Sequence, residues 1–411
     1  MQEQNRFSPQ VERLLARGVR IPLPQTVEIG DEVDPGRISG DGVVLHAGTR
    51  ISGARTLIAA GCRLGQEAPV SLNDCLLGPG VELKGGFFKS SVFLEKANLA
   101  SGAQVREGCL LEEEANGSHT VGLKQTLLFP FVTLGSLINF CDCLMAGGTS
   151  RKDHSEVGSS YIHFNFTPDG NKTTASLFGD VPRGVMLNRR PIFLGGQGGS
   201  VGPVRVGYGT VTAAGSILRD DIGEDDRFVI VAPHPGVERS VALRAHKNLR
   251  RVVTNNLTYL ANLVALEEWY RQVRRPFFAA QELGQAVYEG ALEMLMLAKE
   301  ERTKRLRAMV EGVYPSDTAR AGLKECVAEI CALFFQEPSS AGRDEFLASF
   351  REAVGGRANS IQAEYVSTIQ KLPAAVTAQG EAWLQGIVDD LCRRAAAFVP
   401  GMGLFEDEIH S

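Results

Sequence analysis

A base, an amide and an ammonium stand close together in residues 157–180, where Tyr161, His163, Asn165 and Lys172 flank a Pro-Asp-Gly-Asn turn. That set is what recognition of an amine or a phosphate needs. If residues 161–166 are extended, alternation puts Ile162, Phe164 and Phe166 on one side and Tyr161, His163 and Asn165 on the other. The apolar side is expected to face inwards, which leaves the imidazole and the amide outside. The purely structural alternative is that His163 and Asn165 pair with backbone where two subunits meet. A second histidine, His154, lies in a polar insertion at residues 147–156. Arg183, Arg189 and Arg190 lie in a Pro/Gly/Arg segment, residues 181–191, that suits a phosphate or carboxylate, or plain solvation.

These groups need a scaffold, and the sequence around them repeats. Between about Ile38 and Ile222 one aliphatic residue recurs every six: Leu45, Ile51 and Leu57, then Leu99, Val105 and Leu111, then Val206, Thr212 and Leu218. Six matches neither the period of a helix nor simple strand alternation. It fits a coil of short strands separated by tight turns, three strands to a turn of roughly 18 residues. Stacked turns bury a column that no single repeat could bury alone. The expected fold is therefore a β-solenoid followed by an α-helical domain. The boundaries read as a lead-in and cap at 1–37, the coil with loop insertions at 38–236, and helices at 237–411. Ser8 is placed to cap a short helix over the coil's open end. The interruptions are an acidic bulge at 112–117 and the two polar segments named above; loops leaving a rigid coil are where binding residues tend to sit. From Ser240 an apolar stripe with helical period (Leu249, Val253, Leu257, Leu260, Val264) runs to a stop expected at Pro276. Its early basic residues, Arg250 and Arg251 among them, are expected to lie against the end of the coil as a solvated face, the alternative being that they reach a phosphate at that end.

Composition adds mild bounds. The formal charge of −5 over 411 residues gives no reason to expect nucleic acid or an anionic membrane as partner. No stretch is long and apolar enough to span a bilayer, and the charged start lacks a signal-peptide core, so a cytoplasmic protein is expected. The eight cysteines form no CxxC pair, and no metal site is evident. Cys141 and Cys143, two apart, are expected to share a strand face in reduced form.

Residues 157–180, then Phe193-Leu-Gly-Gly and Val201-Gly-Pro-Val-Arg-Val-Gly-Tyr-Gly-Thr up to Asp221, resemble the acetyltransferase half of the bacterial bifunctional N-acetylglucosamine-1-phosphate uridylyltransferase/glucosamine-1-phosphate acetyltransferase. The resemblance spans residues 117–221. It implies a left-handed parallel β-helix of hexapeptide repeats, a homotrimer, and acetyl-CoA as co-substrate. A left-handed coil is an exception to the usual crossover rule. Residue by residue, Asn165 matches the family's active-site asparagine, and Lys172 the lysine closing its loop, with one extra residue between. Lys124 resembles the upstream substrate-phosphate lysine. Gly196 and Ala214 fall on positions lining the acetyl-CoA groove.

The departures carry as much weight. Counted from Lys124 without gaps, the family's catalytic histidine falls on Ser136 and its active-site tyrosine on Asn139. His163 or His154 would have to serve as base, with Tyr161 and Asn139 near the substrate. The nucleotidyltransferase half has no counterpart: residues 57–65 only superficially resemble its glycine loop and lie within the hexads. Two functions stay open. One is a CoA-dependent acyltransferase acting on an amino sugar, sugar phosphate or nucleotide sugar. The other is a non-catalytic, sugar-nucleotide-binding or scaffold coil.

Overall fold

In a computed structural model of the chain, residues 7–164, 172–233, 235–236, 238, 248–355 and 364–405 are described. Residues 28–229 form a parallel β-solenoid of about 11 turns, with a helical region after it. The coil begins at the strand Glu28–Ile29, ahead of Ile38, where the sequence pattern starts it. Helix α1 (Pro9–Ala16) precedes it, and the Ser8 hydroxyl accepts from the Val11 amide at 3.3 Å.

Three stacks of short strands make three faces. On the first, Leu45, Leu64, Leu83, Leu99, Gly117, Leu134, Val157, Leu194 and Thr212 lie in register. On the second, Ile51, Leu72, Phe88, Val105, Leu123 and Phe140 do so. On the third, Ile58, Leu77, Phe93, Leu111, Leu128, Met145, Phe178 and Val206 do so. These columns interlock as the core, which is why one aliphatic per hexad suffices. The register survives both long interruptions, since Val157 pairs with Leu134 before it and with Leu194 after it.

Between the second and third faces the chain turns on one left-handed residue per coil: Asp74, Ser90, Gly108, Gln125 and Asp142, with φ between 44° and 81°. The next residue in each coil is Cys75, Ser91, Cys109, Thr126 or Cys143, in register down the corner. Four of the five donate to a main-chain carbonyl: Cys75 to Asn73, Ser91 to Lys89, Thr126 to Phe140 and Cys143 to Cys141. Cys141 and Cys143 therefore do not share a face. The corner at Asp142 separates them, leaving Cys141 half-buried and Cys143 in the core.

The third face differs in having a second apolar column. Leu57, Leu76, Val92, Leu110, Leu127, Leu144 and Leu177 lie in register beside the inward one. They point outward and are nonetheless buried, because the helical region lies along this face rather than beyond the coil's end. Its elements are α3 (Leu249–Trp269), a π turn (Tyr270–Arg274), α4 (Arg275–Ala279), α5 (Gly284–Glu311), α6 (Thr318–Ala332), α7 (Arg343–Val354), α8 (Tyr365–Gln370) and α9 (Ala374–Ala397), while α2 (Val181–Gly184) sits in the coil's longest insertion. Helix α5 packs on the strands of Leu76, Val92 and Leu110, and α3 on the strand Ser176–Phe178. Gly290 permits the approach of α5: an added Cβ there would lie 2.7 Å from Leu76 Cδ2. The helix does not stop at Pro276. The π turn unwinds it locally, and proline then occupies the first turn of α4, where no intrahelical amide is required.

Charged pairs fasten helices to coil. Arg302 reaches Asp142 at 2.8 Å, Arg189 reaches Glu381 at 2.6 Å, and Arg251 donates to the Pro203 carbonyl at 2.8 Å. Arg250 also has a partner, so neither of these two basic residues is merely solvated. Residues 112–113 are not an exposed acidic bulge: Glu112 and Glu113 are buried against Arg274. Among the described residues no helix is long and apolar enough to cross a membrane.

Candidate functional site

On the second face, residues outside the core column alternate outward. Lys124 is one of them, in register with Cys141 of the next coil, while Gly122 pairs with Asn139 and Asn139 with Ile162. In the other direction Leu123 pairs with Val105 and Val105 with Phe88. Arg106 and Lys89, the residues that follow, therefore continue the column of Lys124. Three cations on three successive coils, roughly 4.8 Å apart, form a strip beside Asn139. Arg106 and Lys89 are exposed and Lys124 is half-buried. The Lys124 ammonium lies 2.7 Å from the Glu107 carboxylate, which Lys124 and then Arg106 hold below the ordinary carboxylate range.

Arg106 and Lys89 went unnoticed in the sequence. The signal was there, because Arg106 precedes Lys124 by one full turn of the repeat, which forces the two side chains into one column.

The histidine behaves differently. His163 occupies the inward column after Phe140, with Ile162 exposed, so the expected alternation is reversed by one residue. Tyr161 is likewise buried, its ring edge-on to Phe140, and burial raises its hydroxyl pKa. His163 Nε2 lies 2.8 Å from Ser176 Oγ, and its ring packs between Phe140 and Phe178. Desolvation pushes its pKa down to about 4, against the weaker pull of Asp142. The reason for the reversal is the coil itself. Tyr161 and His163 fill space in the column, while Ile162 lies on the outer side in register with Asn139 and Gly199.

The remaining positions fall in several places. Asn165 lies outside the described residues. Lys172 is exposed at the corner beside Asp142, where the Thr174 hydroxyl donates to Asp142 and Arg302 to the Lys172 carbonyl. His154 sits in a hairpin (Gly148–Ser150 with Asp153–His154) between the third and first faces, away from the cationic strip. Its Nδ1 is 3.0 Å from the Arg151 carbonyl and its Nε2 is 3.7 Å from Glu156. The Ser136 backbone amide donates to the Ser159 hydroxyl at 3.1 Å. Gly196 and Ala214 are neighbours at one corner of adjacent coils. An added Cβ at Gly196 would lie 2.8 Å from the Ser159 carbonyl, so coil stacking accounts for its small size. Arg183 is taken up by Asp180 and Asp225, and Arg190 by Asp226, all within the chain. One copy thus sets Asn139 beside the strip of Lys124 and leaves both histidines off it.

The bifunctional protein GlmU of Thermotoga petrophila is 26% identical over 222 residues, which is 54% of this chain and 44% of that protein. GlmU of Carboxydothermus hydrogenoformans is 25% identical over 218 residues, 53% of this chain and 43% of its own. This chain is homologous to GlmU. With a parallel β-solenoid, the relation fits the hexapeptide-repeat, acetyltransferase-like half of GlmU. GlmU of Mycolicibacterium gilvum, 26% identical, is covered over 40% of its length, so the match spans less than half of these relatives. No family model matches the chain.

Proposed function

We propose that the cationic strip of the second face binds the phosphate of an amino sugar phosphate or nucleotide sugar, and that the chain acts chiefly as a binding coil. The observation that carries this is the register that stacks Arg106 on Lys124 with Asn139 one coil further on. Two cations on adjacent coils suit a phosphate, and the amide suits a sugar hydroxyl. Lys124 pairs with Glu107; an ion pair this exposed is worth about 1 kcal/mol or less, so a phosphate can displace it. The homology to GlmU, with its acetyltransferase and nucleotide-sugar associations, supports the substrate class. A homotrimer remains the expected assembly. The position of His163 weighs against transfer by that residue. A base with a pKa near 4, inside the core, cannot meet an incoming amine.

One observation favours a second reading, acyl transfer from acetyl-CoA. The Arg151 carbonyl takes the Nδ1 proton of His154 and leaves Nε2 as the basic nitrogen, close to Glu156.

The test is a thermal-shift and calorimetric panel of UDP-N-acetylglucosamine, glucosamine 1-phosphate and acetyl-CoA on the full chain. Binding of a phosphorylated sugar, weakened at least tenfold by Arg106→Ala with Lys124→Ala, is expected. Absence of sugar-phosphate binding, or unchanged affinity in the double variant, defeats the binding reading. Coenzyme A release that depends on glucosamine 1-phosphate and is abolished by His154→Ala would establish the second reading instead.

A further inference from the structure

Where the coil meets the π turn, two carboxyl groups share one guanidinium. Glu112 and Glu113 come from a corner of the coil; Tyr270 and Arg274 are the first and last residues of the π turn, and Tyr365 comes from α8. All five residues are buried. Arg274 lies 2.9 Å from Glu112 Oε1 and pairs also with Glu113. The Tyr270 hydroxyl donates to Glu112 Oε1 at 2.5 Å. The guanidinium is roofed by the Tyr365 ring at 3.9 Å and the Tyr270 ring at 4.6 Å, and Tyr365 receives a bond from the Trp269 indole at 2.8 Å. Glu113 Oε2 is buried with no hydrogen-bond partner. It borders a cavity of about 60 Å³ whose other charged neighbours are Glu95, Lys96, Glu114 and Glu364. Lys96 is occupied by Glu95 at 2.8 Å.

We propose that the helical region docks on the coil through a proton-linked clasp: the Glu112–Glu113 pair takes up one proton from solvent when the interface closes and returns it when the interface opens. The charge count requires it. Two buried carboxylates facing one guanidinium leave one negative charge unmatched among the side chains that meet there, and a buried unpaired charge is costly enough that the group neutralises instead. The proton belongs to the pair, on the oxygen that no donor reaches. Desolvation raises both carboxyls and brings Glu112 to about 7, with Arg274 pulling the other way. When the interface opens, the carboxyls return to an ordinary value near 4.5 and release the proton. The open state thus binds fewer protons between about pH 4.5 and 7. Closure is favoured at the acid end of that window and weakens by up to about tenfold per pH unit towards pH 7, flat above it.

Trp269 reports on the clasp through its bond to Tyr365. In the full chain carrying Trp383→Phe, Trp269 fluorescence and protease sensitivity of residues 270–280 are followed from pH 5 to 8.5. The open fraction is expected to rise across the window and level off above pH 7. Glu112→Gln, which leaves one carboxylate for one guanidinium, should stay closed and lose that rise. If that variant does not fold, Glu113→Gln provides the same comparison. A flat profile for the unaltered pair, or the same rise in a folded Gln variant, overturns the clasp.

Discussion

The second and third faces of one coil share a backbone and a hexad, yet their outward columns could hardly differ more. The second carries Lys89, Arg106, Lys124 and Asn139 into solvent. The third carries Leu76, Val92, Leu110, Leu127 and Leu144, all buried beneath helices. The inward residues make the fold and are alike on both faces. What a face does is decided by every second residue, the one the fold leaves free. An apolar outward column recruits a covering layer, and a cationic one is kept open for an anion.

The largest effect should come from putting the wrong polarity on the covered face. Leu110→Asp places a carboxylate between coil and α5 with nothing to pair it. It should cost at least about 4 kcal/mol in chemical denaturation, or detach the helices. A loss below about 1 kcal/mol would mean that the helices do not depend on that column.

The next largest probes the boundary between inward and outward on the second face. His163 is neutral in the fold and has an ordinary value near 6.5 when exposed, so the unfolded chain binds the extra proton. Its contribution is intact above pH 6.5 and is lost as the pH falls towards about 4, by up to roughly 1.4 kcal/mol per unit. His163→Phe should remove that dependence from a stability-versus-pH curve. An unchanged slope between pH 6.5 and 4 would show that the ring is wet.

Gly290→Leu should cost about 1–3 kcal/mol by pushing α5 off Leu76, without touching the inner columns. Thermal unfolding of the variant, compared with Gly312→Leu at an open helix end, checks it. Smallest of all, Arg106→Asp on the open face should change stability by no more than about 0.5 kcal/mol. Its effect should be confined to ligand affinity. A larger loss would mean that the strip is structural.

The coil was legible because its rule is local. One aliphatic in six, with turn formers between, leaves few other ways to bury Leu45 and Ile51, although on the third face the six-residue step lands on Leu57 in the outward column while Ile58 is the inward residue. The doublets Leu76-Leu77, Leu110-Leu111 and Leu127-Leu128 were equally visible and announced that one face would be covered, but a rule of one aliphatic per hexad passes over the second. His163 was misplaced for the opposite reason. Alternation gives two faces without saying which is inside, and the three-residue strand Ile162–Phe164 offers too few apolar residues to decide. Arg274 and Glu113 lie 161 residues apart in the chain, and no spacing rule reaches that far. Arg106 could have been found from Lys124 by counting one turn back.

The corner column of Cys75, Ser91, Cys109, Thr126 and Cys143 has a consequence for oxidation. A hydroxyl rung separates each thiol from the next, so successive sulfurs are two strand spacings apart, roughly 9.5 Å. A disulfide needs Cα atoms within about 7 Å. Burial also pushes the Cys75 thiol up to about 12 and raises Cys109 and Cys143, so little thiolate forms. An oxidant would find sulfurs in this spine that it can neither bridge to one another nor readily attack, and the coil's winding would not depend on the redox state around it.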